Sequence, residues 1–247
     1  MGVIYILWLR QLKRYIRSKA RIVGSIGQPL LFLVALGFGF GPVFAKAGEG
    51  SYITFLAPGI IAMSILFTSV FTGIEIIWDK QFGFLKETLV APVSRLKIMI
   101  GRTLGGATVA IIQGFIVLIV TVPLGFRPNV AALPLAFIFM LLISLFFTAF
   151  GTAIASLLSD MQGFQLIMNF VIMPIFFLSG ALFPTDGLPP ALQIVLKANP
   201  LYYGIDGMRD AFMGLVNSGM GLDFMVLGII TMIFLIIGSY LFSKIQI

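Results

Sequence analysis

The sequence predicts an all-α integral membrane protein. It comprises six transmembrane helices, an N-terminal amphipathic interface helix, and re-entrant outer helices between spans five and six. Three observations carry this reading. The chain has 247 residues, of which 60% are hydrophobic and only 10% charged, with a mean hydropathy of +1.11. A soluble domain is about 25% charged and keeps much of its surface wet. Second, uncharged runs cover 22–45, 50–74, 103–126, 128–159, 161–185 and 224–243. Each reaches the ~20 residues that an α-helix needs to cross ~30 Å of hydrocarbon. Third, stretches such as "IFMLLISLFFTAF" do not alternate apolar with polar residues, so barrel strands are a poor alternative.

The N-terminal helix is expected over 4–21. At 100° per residue, Tyr5, Trp8, Leu12, Tyr15 and Ile16 share one face, and Arg10, Lys13, Arg14, Arg17 and Arg21 the other. That is the pattern of a helix lying in the membrane interface, with Trp and Tyr at headgroup level. Lys19 falls on the wrong face, so the helix ends there or the side chain snorkels. "GVIYILWL" precedes the basic residues, the reverse of a cleaved signal, so the segment is expected to be retained.

Span one contains Gln28-Pro29 and "LGFGFGP"; proline kinks a helix, and glycine lets a neighbour approach. Span two closes on "GIEIIWDK", where Glu75 reads as interfacial. The loop "WDKQFGFLKETLVAPVSRLK" begins as a helix, stops before Pro92 and restarts behind Ser94, a natural cap. Its charges and apolar knobs fit either a docking helix for a soluble partner or an ordinary connection. Pro128, Asn129 and Pro134 assign the start of the fourth run to a loop, with the span beginning near Leu133. Gln165 and Asn169 lie four apart on span five, so one face either glues helices or lines a pathway. The segment 190–197 is apolar but too short to span, Asn199-Pro200 breaks it, and 201–215 can form a second helix. Two short helices that dip into the outer leaflet and return fit this pattern.

The chain has no Cys and no His. Thiolate and imidazole metal sites, cysteine nucleophiles, Ser-His-Asp triads and disulfides are thereby excluded. No ionisable residue sits at the centre of a predicted span, which argues against an ion-coupled pump. Asp206, Arg209 and Asp210 lack a His or Cys partner and read as a salt-bridged structural cluster. No GxxxxGK[ST] occurs, so ATP hydrolysis would need another chain. With the N-terminus inside, twelve of the 16 Lys and Arg face the cytoplasm and four face out. Both termini are thus expected inside. The net charge of +7 is directed at anionic lipid and cytoplasmic partners, not nucleic acid.

Two stretches together, "DKQFGFLKETLVAPVSRLKIMIGRTLGG" (79–106, with Gln113 following) and "NPLYYGIDGMRDAF" (199–212), resemble the permease subunit of ATP-binding-cassette exporters. The resemblance is to the ABC type-2 membrane family, in its drug-resistance and polysaccharide or lipid export branches, and it covers nearly the whole chain as one transmembrane domain, 1–247. It implies a non-enzymatic membrane subunit that binds no cofactor itself. A cytoplasmic ABC ATP-binding subunit would carry ATP and Mg, and a second permease copy would complete a homodimer in the cell (inner) membrane. Asp79, Lys80, Phe82, Gly83, Lys86 and Glu87 would form the coupling helix, with Pro92, Ser94 and Arg95 in the following turn. Asp160 and Gln162 would make a minor contact with the ATPase. Trp8, Arg10, Lys13, Arg14 and Arg17 would belong to an interface helix touching headgroups and ATPase. Residues 190–213 would be re-entrant helices near the exit. Gln165, Asn169, Phe176 and Phe177 would line the substrate path. The implied cargo is amphiphilic or hydrophobic: a drug, a lipid or a lipid-linked glycan. A carrier or channel independent of ATP is the alternative.

Overall fold

The computed structural model describes residues 2–46, 50–85, 93–185, 187–215 and 218–245. Lys86, Glu87 and Pro92, expected in the coupling segment, lie outside the described residues. Among the described residues ten α-helices are delimited: α1 Val3–Arg17, α2 Lys19–Lys46, α3 Tyr52–Gln81, α4 Arg95–Thr121, α5 Leu133–Leu157, α6 Met161–Ile167, α7 Met173–Phe177, α8 Pro190–Lys197, α9 Pro200–Met213 and α10 Ser218–Ser243. No strand occurs among the described residues.

Among the described residues five helices are long and apolar enough to cross a membrane: α2, α3, α4 with the turn after it, α5 with the turn before it, and α10. The fifth uncharged run is instead a shorter helical stretch, Met161–Phe177. Its middle, Met168–Ile172, is a π-helical turn between α6 and α7. Pro174 accounts for this. It has no N–H and its ring clashes with the carbonyl four residues back, so the preceding turn widens.

α3 is the axis of the bundle: 83% of its apolar window is buried, against 17% for α2. It packs on α2, α4 and α5, while α10 packs on α5 and α9. The core is correspondingly rich in α3 side chains, including Leu56, Ile60, Ile61, Ile65 and Leu66. α5 begins at Leu133, where the sequence predicted, behind a short turn that Asn129 caps by accepting from the Ala131 N–H at 3.1 Å.

The expected helix over 4–21 is two helices. α1 ends at Arg17, and Ser18 leaves helical geometry at φ −94° and ψ 74°. The backbone of Ser18 joins the two: its N–H caps Tyr15 and its carbonyl receives Ile22. Periodicity alone does not register this corner, because apolar spacing continues across it. Beyond it α1 lies on α4, whereas α2 packs against α3.

At the other end of the bundle α8 and α9 are separated at Asn199, the break expected there. The Asn199 side chain accepts from the Leu201 N–H at 3.0 Å and donates to the carbonyls of Ile175 (2.6 Å) and Leu178 (2.7 Å). One amide thus caps α9 and also satisfies carbonyls left open at the end of α7. Arg209 of α9 lies 4.1 Å over the Phe55 ring and donates to the Gly180 carbonyl at 3.0 Å. Leu201, Ile205, Met208 and Phe212 are buried, so α9 is inserted among α3, α5 and α10.

Candidate functional site: the basic end of the bundle

α1, the end of α3 and the start of α4 meet at one end of the molecule, and the residues singled out from the sequence gather there. α1 seats on α4 through Gly101 and Gly105, one turn apart. A Cβ on Gly101 would lie 2.9 Å from Leu7 Cβ, and one on Gly105 would lie 2.7 Å from Gln11 Cβ. Small residues four apart let two helices touch along their backbones. Polar bonds fix the register: Trp8 Nε1 donates to Thr108 Oγ1 at 3.0 Å, and the Tyr15 hydroxyl donates to Gln113 Oε1. Burial pushes the Tyr15 hydroxyl above its usual pKa, partly opposed by the charge of Arg21, so it stays a proton donor at neutral pH. Trp8 and Tyr15 therefore face protein, where the sequence put them at headgroup level; Tyr5 and Ile16 are exposed.

The basic face of α1 meets α3. Glu75 and Asp79 are one turn apart on α3, and Arg10 and Arg14 one turn apart on α1. Arg10 approaches Asp79 at 3.4 Å, Arg14 approaches Glu75 at 3.4 Å, and Arg21 of α2 reaches Glu75 at 3.0 Å. Arg14 also lies 5.6 Å from the Trp78 ring centre. Arg102 of α4 binds Asp79 from the opposite side. Glu75 is only 2% exposed, enclosed by protein near the end of α3. Asp79, expected at the partner's surface, is turned inward and held by two arginines. The missed signal was the matched i, i+4 spacing of two acids and two arginines, which two antiparallel helices bring opposite each other.

Lys80, also expected in the coupling contact, reaches across the bundle. Its Nζ donates to the carbonyls of Ala155 (3.2 Å), Ser156 (2.8 Å) and Leu158 (2.9 Å). It closes the C-terminal end of α5, where carbonyls lack intrahelical partners. Replacing Lys80 by Met is expected to cost about 1–3 kcal/mol, since carbonyls lose their donor. Thermal melting in detergent checks this, and Lys80→Arg should recover part of the loss. Next to this cap, Asp160 accepts from the Gly163 N–H at 2.6 Å and caps α6, while Gln162 is exposed. Arg95 Nη1 donates to the carbonyls of Ser243 (2.5 Å) and Ile245 (2.9 Å) and closes α10. Ser94 stands at the N-cap of α4 without a side-chain cap bond.

Among the described residues, the groups free to meet another molecule are fewer than the sequence suggested. Phe82 is 72% exposed, at the turn where α3 ends, and Gly83 follows with φ +79°. Lys13 and Arg17 are exposed on α1. Two hollows flank α1. One, of about 940 Å³, is lined by Leu9, Arg10, Lys13, Arg14, Arg17, Asp79 and Phe84. The other, of about 680 Å³, lies between α1, α2 and α3. Its lining joins Arg14, Arg21 and Gln28 to Met63, Phe67 and Phe71, so it is polar at one end and oily at the other. Of the expected path residues, Gln165, Asn169 and Phe177 are exposed. Phe176 is fully buried between Phe32 and Phe67 and serves the core. No group of three or more metal-ligating residues occurs among the described residues.

Comparison with known proteins is consistent across the length of the chain. Residues 2–213 match the family of ABC-2 type transporters. A protein of Cyanophora paradoxa named transport permease ycf38 is 31% identical, over 98% of this chain and 88% of its own. Nodulation protein J of Rhizobium leguminosarum bv. trifolii is 31% identical over 85% of this chain and 78% of its own. Nodulation protein J of Rhizobium meliloti (strain 1021) is also 31% identical, over 81% and 78%. With its apolar helices and its match over nearly the whole length to a transport permease, the chain belongs to the ABC-2 type transporter family as a multi-pass membrane permease.

Proposed function

We propose that this chain is the permease subunit of an ATP-driven exporter. Two copies pair in the inner membrane as single transmembrane domains, with both termini in the cytoplasm. A separate ATP-binding subunit, holding ATP and Mg, docks on the basic end. The observation that carries this reading is the exposed Phe82. It sits at the α3 turn beside the hollow in which Lys13, Arg17 and Phe84 meet. An exposed aromatic with a cationic rim suits insertion into a pocket on a soluble partner. The ladder of ion pairs behind it, built on the buried Glu75 and Asp79, makes α1, α3 and α4 one stiff unit, through which a push on the turn reaches the bundle.

Met161–Phe177 covers about 26 Å at 1.5 Å per residue. With the turn that follows it makes the sixth crossing, and α8 and α9 are the re-entrant outer helices. Gln165 and Asn169 expose amides on this crossing, which in hydrocarbon would cost about 1–3 kcal/mol each. A second copy or a watery path along that face removes the penalty. The cargo is amphiphilic or hydrophobic, a drug, lipid or lipid-linked glycan. The hollow between α1, α2 and α3 offers arginines for a polar head and phenylalanines for a tail.

The test is purification from native membranes in mild detergent, followed by an ATPase assay of what accompanies the chain. A soluble ATPase is expected in equal amount. Phe82→Ala should reduce its retention roughly ten- to thirty-fold, the effect of losing an aromatic anchor. A well-folded chain that brings down no ATPase would overturn the reading in favour of an ATP-independent carrier or channel.

A further inference from the structure

We propose that the groove between α4 and α10 holds an anionic phospholipid, with its acyl chain in the groove and its phosphate at Lys244. The groove encloses about 670 Å³, within the ~300–1,000 Å³ of ligand sites. Met99, Ile100 and Leu104 form one wall, Leu235 and Ile236 the other, and Leu145 of α5 adds to the lining. Two of its hydroxyls are already used. Thr103 donates to Met99 Sδ at 3.3 Å, and Ser243 donates to the Tyr240 carbonyl at 2.7 Å. An oily slot on the flank of the bundle results, matched to a lipid tail.

One end of this slot is cationic. Lys244 Nζ lies 4.4 Å from the centre of the Tyr240 ring, and Tyr240 lines the groove. The ring holds the ammonium at the mouth while leaving its N–H groups available, since a cation–π contact uses none of them. Arg95 is bonded to the carbonyls of Ser243 and Ile245, so its charge lies on the same rim. Neither cation has a carboxylate partner among the described residues. Oil ending in two cations is complementary to an acyl chain ending in a phosphate, and basic pockets between membrane helices select anionic headgroups. A second copy of this chain in the same orientation would bring its own cations to that level, where like charges repel. That favours lipid over protein as the occupant. This site lies on the far side of α4 from the basic hollows and does not depend on the transport reading.

The experiment is native mass spectrometry of the delipidated full chain, titrated with phosphatidylglycerol or phosphatidylcholine of identical acyl chains. Phosphatidylglycerol should be retained preferentially. Lys244→Gln should lower its retention roughly five-fold and erase the preference, as the loss of one cation at a lipid surface would. Lys244→Arg should keep the preference. Ser239→Trp, which fills the groove from α10, should reduce retention of both lipids. Melting curves establish that each variant is folded; any that is not is replaced by Ile236→Trp, which fills the same groove. Equal retention of the two lipids by the parent chain, or an unchanged preference in Lys244→Gln, overturns the proposal. So does a Ser239→Trp chain that keeps its lipid but loses its dimer, which would mean that the groove is covered by a second copy.

Discussion

Gly73→Ala is expected to destabilise the bundle by about 3 kcal/mol or more, at or beyond the upper end for overpacking a core. A Cβ on Gly73 would strike the backbone carbonyl of Gly151, and one on Gly151 would lie 2.7 Å from the carbonyl oxygen of Val70. α3 and α5 thus cross with their backbones in contact. A flexible side chain could turn aside, but a helix backbone cannot, so α3 and α5 would have to separate. Small residues at such crossings are how membrane helices gain close packing without a hydrophobic driving force. Gly228 of α10 is the internal control, because a Cβ there would meet nothing within 4 Å. Gly228→Ala should be neutral or slightly stabilising, up to about 1 kcal/mol from helix propensity. Thermal melting and the monodisperse fraction in detergent measure both. Equal behaviour of the two variants would mean that the α3–α5 contact is not as close as described.

Arg102→Met is expected to cost about 3–5 kcal/mol, because it leaves Asp79 buried without its principal counter-charge. Both side chains are only 5% exposed. Arg10 also reaches Asp79, but at 3.4 Å and with 44% of its own side chain exposed, so water weakens that pair. The Asp79→Leu, Arg102→Met double variant should recover most of the loss, since a buried ion pair is often replaceable by apolar residues of similar volume. Removing Glu75 would separate the two halves of the ladder: Arg14 and Arg21 would lose their partner while the Asp79 pair stayed intact. Melting of the single and double variants decides the matter. If the double variant is no better than Arg102→Met, the pair is fixing helix register in addition to neutralising charge.

Much of the architecture is readable without coordinates, and for plain reasons. The uncharged runs correspond to helices because charge in hydrocarbon is expensive. Pro190–Lys197 is a helix, Asn199-Pro200 interrupts the chain, and Leu133 opens a long helix, all as local chemistry predicts. The functional end was legible only in outline. Periodicity correctly sorted α1 into an oily and a basic face. It could not say that the oily face meets the Gly101 and Gly105 surface of α4, or that the basic face meets Glu75 and Asp79. Lys80 and Arg95 illustrate the same limit. Each reads as a surface cation, yet each closes the end of a helix remote in sequence, α5 and α10 respectively.

The sequence by itself determined which segments leave water, where helices begin, and which residues share a face. These are properties of neighbours along the chain, set by solvation, propensity and the 3.6-residue turn. Only the tertiary structure decided which face meets which. It divided the basic residues into those consumed inside, such as Arg102, and those presented outside, such as Lys13 and Arg17. Of the described residues expected in the coupling segment, it turned Asp79 and Lys80 inward and left Phe82 exposed. The physical reason is that an ionised side chain is stabilised by whatever opposite charge or carbonyl the fold carries to within a few ångströms. That partner is chosen by helix packing across tens of residues, which no local pattern records.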